Sequence, residues 1–395
     1  MKKMNLVVAQ SGGPTAVINA SLIGVVEAAL ASSRIGRILG ARHGIAGILK
    51  GDYADLRKLT PAARAEIAAT PSAALGSCRL KPDAATCREI FERFRRLRVG
   101  YFFYIGGNDS ADAARIVAEA AAQADYPLVV YHVPKTIDND LRSCDHTPGF
   151  ASAARFVAMA VKGDDLDNRA LGGVKIDVIM GRDAGFLTAA AALARSRPDD
   201  GPHLVYLPEV PFSEARFVRD VKAAMKRYGR CVCAVSEGIR GRDGVAIGAK
   251  LGSGETDSHG NVQISGTGAL GDRLARLLQA QAGVKRVRAD TFGYLQRSFP
   301  GVVAATDRRE AYLAGQAAVK AALKLSLTAG TVGIARAAGR KYSVAFVPRP
   351  IADAARLTRS VPKEYIAANG HDVTRAFLDY ARPLVGELPV TRTLV

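Results

Sequence analysis

Three times within its first 140 residues the chain follows one order: a short apolar run, then a loop of glycine and small polar residues. Leu6-Val7-Val8-Ala9 leads into Gln10-Ser11-Gly12-Gly13-Pro14-Thr15-Ala16, and Tyr101-Phe102-Phe103-Tyr104-Ile105 leads into Gly106-Gly107-Asn108-Asp109-Ser110. The third run, Leu128-Val129-Val130-Tyr131, stops at Val133-Pro134-Lys135-Thr136-Ile137-Asp138-Asn139-Asp140. Runs this short, rich in branched and aromatic residues and closed by glycine or proline, read as buried strands of a parallel sheet. With helical stretches between them they predict an α/β fold of the doubly wound, Rossmann-like kind.

In such sheets ligands bind just past the carboxyl ends of the strands, which is where all three loops fall. Glycines let backbone N–H groups approach an anion, and a helix beginning near Ser110 points its positive end to the same place. One Gly-Gly pair alone is as easily a plain tight turn. Three such loops, one of them bringing two carboxylates and a lysine, can converge on a single phosphate chain.

At 395 residues the chain is long enough for two or three domains, and 48% hydrophobic with 23% charged residues is ordinary for a globular protein. The net charge of +18, from 55 Lys+Arg against 37 Asp+Glu, points to polyanionic partners. The basic residues are scattered, Trp is absent and no zinc-finger or RNP-like pattern occurs, so phosphorylated small molecules fit better than nucleic acid. Five cysteines without a C-x-x-C pair (Cys78, Cys87, Cys144, Cys231, Cys233) suggest reduced thiols and a cytoplasmic setting. No stretch approaches about 20 apolar residues, so a membrane span is not expected.

Further along, a helix is expected over about 151–161, a loop over 164–173, and a strand from Val174 to Met180 ending in Gly181-Arg182-Asp183-Ala184-Gly185. Strands follow at Leu204–Leu207 and Cys231–Val235, with a basic helix around Phe217–Tyr228 between them, and the second strand ends at Ser236-Glu237-Gly238. These predict a second α/β domain. Residues 241–268 read as a long surface loop. After about residue 300 the chain is helical again, with one apolar run, Val344-Ala345-Phe346-Val347, before a polar tail.

The motifs SGGPTAVINA, GGNDS, PKTIDND and MGR, in this order and spacing, together with Ser236-Glu237-Gly238 and Phe292-Gly293-Tyr294-Leu295-Gln296-Arg297, resemble the phosphofructokinase family, and within it the pyrophosphate-dependent branch. The resemblance implies two doubly wound domains with the active site in the cleft between them. A donor domain would comprise 1–140 plus about 300–395, and a sugar-phosphate domain 141–299. It implies magnesium-dependent, reversible phosphoryl transfer from pyrophosphate to the C1 hydroxyl of fructose 6-phosphate. A cytoplasmic homo-oligomer, in the first instance a homodimer, is the expected form.

Roles carry over motif by motif. Phosphoryl transfer needs an orienting carboxylate, cations on the transferring group and fixed geometry. By resemblance Asp138 is the base, with Asp140 as support for the metal or the local geometry. Lys135 stands where ATP-dependent relatives usually have glycine, and Asp109 likewise. The ammonium suits a small donor that lacks an adenosine handle, whereas a carboxylate would repel an α-phosphate. Gly12, Gly13 and Gly107 would hold pyrophosphate. Thr136, Ile137, Met180, Gly181, Arg182, Glu237, Tyr294, Leu295, Gln296 and Arg297 would join Asp138 and Asp140 around the sugar phosphate. Arg288 resembles an arginine that reaches a phosphate across a subunit boundary. A second such arginine is missing at Gly173, with Lys175 as a substitute candidate. Asn108 departs from the family's usual aspartate: its amide oxygen can still ligate magnesium but adds no charge.

Each of these residues has a bland reading as well, as a helix cap, a solvated charge or a core aromatic. The alternatives are an ATP-dependent kinase, disfavoured by Asp109 and Lys135, and a noncatalytic regulatory subunit, suggested by Asn108. Gly266-Thr267-Gly268-Ala269-Leu270-Gly271, with Asp290 beyond it, matches a dinucleotide fingerprint. Asn261–Ser265 before it is a poor buried strand, which argues against an oxidoreductase.

Overall fold

The computed structural model describes residues 3–250, 267–324, 327–339, 341–356 and 358–394. The chain divides into two compact units, one formed by Met1–Phe150 with Ala305–Arg359 and the other by Ala151–Ala304 with Ser360–Val395. Its strands, in chain order, are β1 (Met4–Gln10), β2 (Ile35–Ala41), β3 (Tyr53–Asp55), β4 (Val99–Gly106), β5 (Val129–Pro134), β6 (Gly173–Ile179), β7 (Leu204–Tyr206), β8 (Arg230–Ser236), β9 (Val287–Thr291), β10 (Ala329–Arg336) and β11 (Val344–Pro350).

The first unit is built on a seven-stranded sheet in the order β11-β10-β5-β4-β1-β2-β3. Five strands from β10 to β2 run parallel, and β11 and β3 close the two edges antiparallel. From β1 the chain moves outward to β2 and β3, then returns to place β4 on the other flank of β1. The strand order therefore reverses between β1 and β4, the point at which loops leave in opposite directions and open a crevice.

The period of two along each strand divides the core. Leu6, Val8, Phe103, Ile105, Tyr131 and Val133 face one side, while Val7, Ala9, Phe102, Tyr104 and Val130 face the other. On the first side the helix Ile18–Leu30 packs against the helix Ala305–Lys324. A Cβ on Gly315 would lie 2.2 Å from the Ser21 carbonyl oxygen, so only glycine permits that approach. This packing is what returns the chain to the first unit after residue 304. The strand β10 was not expected, because Ala329-Gly330-Thr331-Val332-Gly333 carries too few large apolar residues to announce one.

The second unit holds a parallel sheet in the order β7-β8-β6-β9. Two expectations need correcting here. Residues 164–171 are not a loop but the last turns of the helix Phe150–Leu171. Its aspartates have low helix propensity, but the buried Asp165 pairs with the Arg230 guanidinium and accepts from the Gly201 N–H at 2.8 Å. Tertiary partners override the local preference.

The tail, too, departs from the expected domain boundary. Ser360–Val395 belongs to the second unit rather than the first. Val205 N donates to the His371 carbonyl at 2.9 Å, Arg195 forks onto both Asp372 oxygens at 2.9 and 3.1 Å, and Arg155 donates to the Val385 carbonyl at 3.0 Å. The helix Arg375–Val385 buries Phe377 and Leu384. Of the expected surface loop 241–268, Ala246 forms a β-bridge with Arg240, the residue just before the loop, and Gly248–Lys250 make a short 3-10 turn. Residues 251–266, including Gly266 of the fingerprint and the segment Asn261–Ser265, lie outside the described residues.

Candidate active site

The ends of β1, β4 and β5 are tied to one another by backbone. Ser11 N donates to the Ile105 carbonyl at 2.9 Å and Lys135 N donates to the Gly106 carbonyl at 2.9 Å, so the loop after each strand starts from its neighbour. Gly12 adopts φ +73°, and a Cβ there would come within 3.3 Å of Lys135 Nζ. Lys135 is buried, and its Nζ donates to the Gly13 carbonyl at 2.6 Å. Gly12, Gly13 and Lys135 are thus brought together. A buried ammonium beside a glycine loop is a ready partner for an anion.

Gly107 precedes the helix Asn108–Gln123, which places Asn108 and Asp109 in its first turn. Asn108 is half-buried and Asp109 exposed. The helix end offers its positive dipole on the crevice side of the sheet.

The loop after β5 is shaped by its own side chains. Asp138 N donates to Thr136 Oγ1 at 3.1 Å, and Thr136 Oγ1 lies 3.4 Å from Asp138 Oδ2. Asn139 takes a left-handed backbone, φ +59°, and its Oδ1 accepts from Thr147 N at 3.0 Å. Asp138 and Asp140 are half-buried on either side of the buried Asn139. Ile137 is buried and apolar, so it can offer only backbone.

Several residues that hold this arrangement were not found from sequence. His132 is fully buried: one ring nitrogen lies 2.8 Å from the Gly106 carbonyl oxygen and the other 2.8 Å from Thr331 Oγ1. Burial, above all, pushes its pKa down from the usual 6.5 to about 4, so the ring is neutral. It then donates to Gly106 and accepts from Thr331. Arg359 donates to the Asn139 carbonyl at 2.8 Å and to the Asp145 carbonyl at 2.6 Å, and its N–H reaches the Asp140 carbonyl at 2.8 Å. Neither residue stands in a recognisable motif, because each acts through contacts distant in the chain.

In the second unit the loops after β6 and β8 interlock. Ser236 Oγ donates to the Gly181 carbonyl at 2.7 Å and accepts from Gly238 N at 3.1 Å, while Glu237 N donates to the Ile179 carbonyl at 2.8 Å. Gly181 has φ +142°, and a Cβ on Gly238 would fall 2.1 Å from the Arg182 carbonyl oxygen. Arg240 also donates to the Arg182 carbonyl, at 2.9 Å. Arg182 and the buried Glu237 are thereby placed at one edge of the sheet, with Met180 buried beneath them.

The remaining candidates follow β9. Phe292 N donates to the Val178 carbonyl at 3.0 Å, which fixes the start of the Gly293–Arg297 turn. Tyr294 and Leu295 are exposed, and the Arg297 guanidinium stacks 4.6 Å from the Tyr294 ring centroid. Gln296 is buried and donates to the Gly293 carbonyl at 2.8 Å. Arg288 is exposed on β9, directly across from Lys175 on β6. Lys175 is held by Asp164 at 3.0 Å and by Asp167 and Asp290 at 3.4 Å, so it is already engaged with carboxylates. Asp290, the acidic partner of the supposed fingerprint, is in that same group.

With this geometry established, comparison with known proteins is decisive: the family model described as phosphofructokinase matches residues 5–322. The chain belongs to the phosphofructokinase family. It is 54% identical over 387 residues to the pyrophosphate–fructose 6-phosphate 1-phosphotransferase of Rhodospirillum rubrum, covering 98% of this chain and 95% of that one. The enzyme of the same name from Xanthomonas campestris pv. campestris is 40% identical over 400 residues, covering 99% and 94% of the two chains. Among solved structures, the pyrophosphate-dependent phosphofructokinase of Nitrosospira multiformis matches with a TM-score of 0.87 at 33% identity, over 99% of this chain and 94% of that one. Among the described residues no helix is long and apolar enough to cross a membrane.

Proposed function

We propose that this phosphofructokinase transfers a phosphoryl group from pyrophosphate to the C1 hydroxyl of fructose 6-phosphate, giving fructose 1,6-bisphosphate and inorganic phosphate. The C1 oxygen attacks one phosphorus in line and forms the new P–O bond. The bond from that phosphorus to the bridging oxygen breaks, the hydroxyl proton passes to Asp138, and phosphate departs. By microscopic reversibility the same groups serve the return reaction.

The first unit carries the donor side. Lys135, buried against the Gly13 carbonyl, is the observation that most supports pyrophosphate: a fixed ammonium at the glycine loop stabilises charge on a donor that has no nucleoside to hold it. Gly12, Gly13 and Gly107 offer backbone N–H groups. Asp109, exposed in the first turn of its helix, disfavours an α-phosphate.

The second unit carries the acceptor side. Arg182 and Arg297 suit the sugar's terminal phosphate, Glu237 suits its hydroxyls, and Tyr294 and Leu295 shape the approach. Gln296 acts through its backbone or by setting the turn, since its amide already serves Gly293. The exposed Arg288 serves a second copy of the chain in a homodimer.

The oxygen donors around the donor loops, the Asn108 amide and the Asp140 carboxylate, suit a hard cation, and both are partly open to solvent. These residues would hold magnesium, which when bound neutralises phosphate charge.

Steady-state assay of the purified protein with pyrophosphate and with ATP tests this reading. Turnover should require pyrophosphate, and a preference for ATP would overturn it.

A further inference from the structure

Away from the loops described above, three carboxylates of the second unit meet on one face of its sheet. Asp177 on β6 and Asp290 on β9 are register partners, and Asp164 of the helix Phe150–Leu171 reaches the same face. One oxygen from each lies within 4.8 Å of the others. Like charges directly opposite one another on paired strands repel, so an arrangement of this kind needs a compensating cation.

Lys175 supplies part of it, at 3.0 Å from Asp164 and 3.4 Å from Asp290. It does not supply all of it. Asp177 is completely buried, and among the described residues its carboxyl meets no hydrogen-bond partner but another acid, Asp164. A buried carboxylate without a donor is expensive to keep, and two of them turned toward each other more so. With Asp167 included, four carboxyl groups share the cations Lys175 and Arg286.

We propose that Asp164, Asp177 and Asp290 form a binding site for a hard divalent cation. The donors are all carboxylate oxygens, which favours calcium, magnesium or manganese over zinc or copper. Two ligands on opposite sides of a calcium ion are about 4.8 Å apart, whereas magnesium draws them in to about 4.2 Å. A spread of no more than 4.8 Å accommodates an ion of either size. Asp177 is the deep ligand. Asp290, exposed at the edge strand, leaves room for water to complete the shell.

The site is separate from any magnesium at Asn108, and its role is structural: it would pin β9 and the helix Phe150–Leu171 onto β6. The test uses the full-length protein, stripped with chelator and kept free of pyrophosphate, titrated with calcium chloride by calorimetry and by thermal melting, with magnesium chloride in parallel. The wild type should take up one calcium per chain, with a melting temperature raised by several degrees. Asp177→Asn and Asp290→Asn should each weaken that binding by about tenfold or more, in line with the loss of one anionic ligand. If Asp177→Asn does not fold, Asp290→Asn, at the exposed edge, decides. A wild type that neither binds calcium nor changes its melting temperature would overturn the proposal. That is the outcome if Asp177 is simply a neutral acid hydrogen-bonded to Asp164. Calcium bound equally well by wild type and the variants would place the ion elsewhere and overturn it too.

Discussion

The Lys135 ammonium donates to the Gly13 carbonyl at 2.6 Å, and this contact joins the loop after β5 to the loop after β1 across the intervening β4. The cation is therefore fixed by the fold before any donor arrives. A group pre-set in this way needs no reorganisation as charge develops, which is the condition for a large effect on rate. Lys135→Met should lower turnover with pyrophosphate by about a hundredfold, the equivalent of roughly 3 kcal/mol. Circular dichroism should show the fold retained, and a rate within a few-fold of wild type would remove Lys135 from the donor site.

Donor choice is read most directly by removing both residues that favour pyrophosphate. The double variant Asp109→Gly, Lys135→Gly takes away the carboxylate that opposes an α-phosphate and the ammonium that supports a small donor. Pyrophosphate activity should fall by orders of magnitude while the ratio of ATP to pyrophosphate activity rises. ATP use need not become efficient, since an adenine pocket is a separate requirement. Rates with both donors on both proteins decide the matter, and an unchanged ratio would contradict the assignment.

Asp138→Asn keeps the shape of the loop, because the Asp138 N–H contact to Thr136 Oγ1 is a backbone one and Asn139 is tied independently through Thr147. Only the carboxylate is lost. Turnover should drop about a hundredfold or more with little change in either Michaelis constant. A loss of less than a few-fold would exclude Asp138 as the base.

On the acceptor side, Arg182→Ala should raise the Michaelis constant for fructose 6-phosphate much more than that for pyrophosphate. Gly238→Ala should act in the same direction without touching the arginine side chain, since the new Cβ would sit 2.1 Å from the Arg182 carbonyl oxygen and force that backbone to move. Equal effects of Arg182→Ala on both substrates would argue against its placement.

The strand-end loops were legible because they are continuous in sequence. Gly106-Gly107 and Lys135–Asp140 each sit beside their own strand, and the continuous apolar runs of β1, β4 and β5 follow from burial on both faces. What could not be read depends on partners far along the chain. The turns at 164–171 are helical because Asp165 finds Arg230, and the tail joins the second unit because Asp372 finds Arg195. The same holds for His132, whose role exists only once Thr331 arrives on β10 beside it.

That buried histidine predicts a pH dependence of stability. His132 lies between Gly106 and Thr331 with Lys135 nearby, and its folded pKa of about 4 is below the usual 6.5. As pH falls below about 6.5, the unfolded chain takes up a proton that the folded chain refuses. The stabilisation is therefore complete above that pH and is lost progressively toward pH 4, by on the order of 3 kcal/mol at full protonation. His203, also pushed down to about 4 by burial first and then by Arg230, adds a slope of the same sign. Urea unfolding of the wild type from pH 8 to 4.5 should show stability falling below pH 6.5, and His132→Gln should show a shallower fall over that range because one of the two groups no longer titrates. Parallel curves for the two proteins would mean that the His132 imidazole is protonated in the folded state, and the neutral clamp on the Gly106 carbonyl would have to be abandoned.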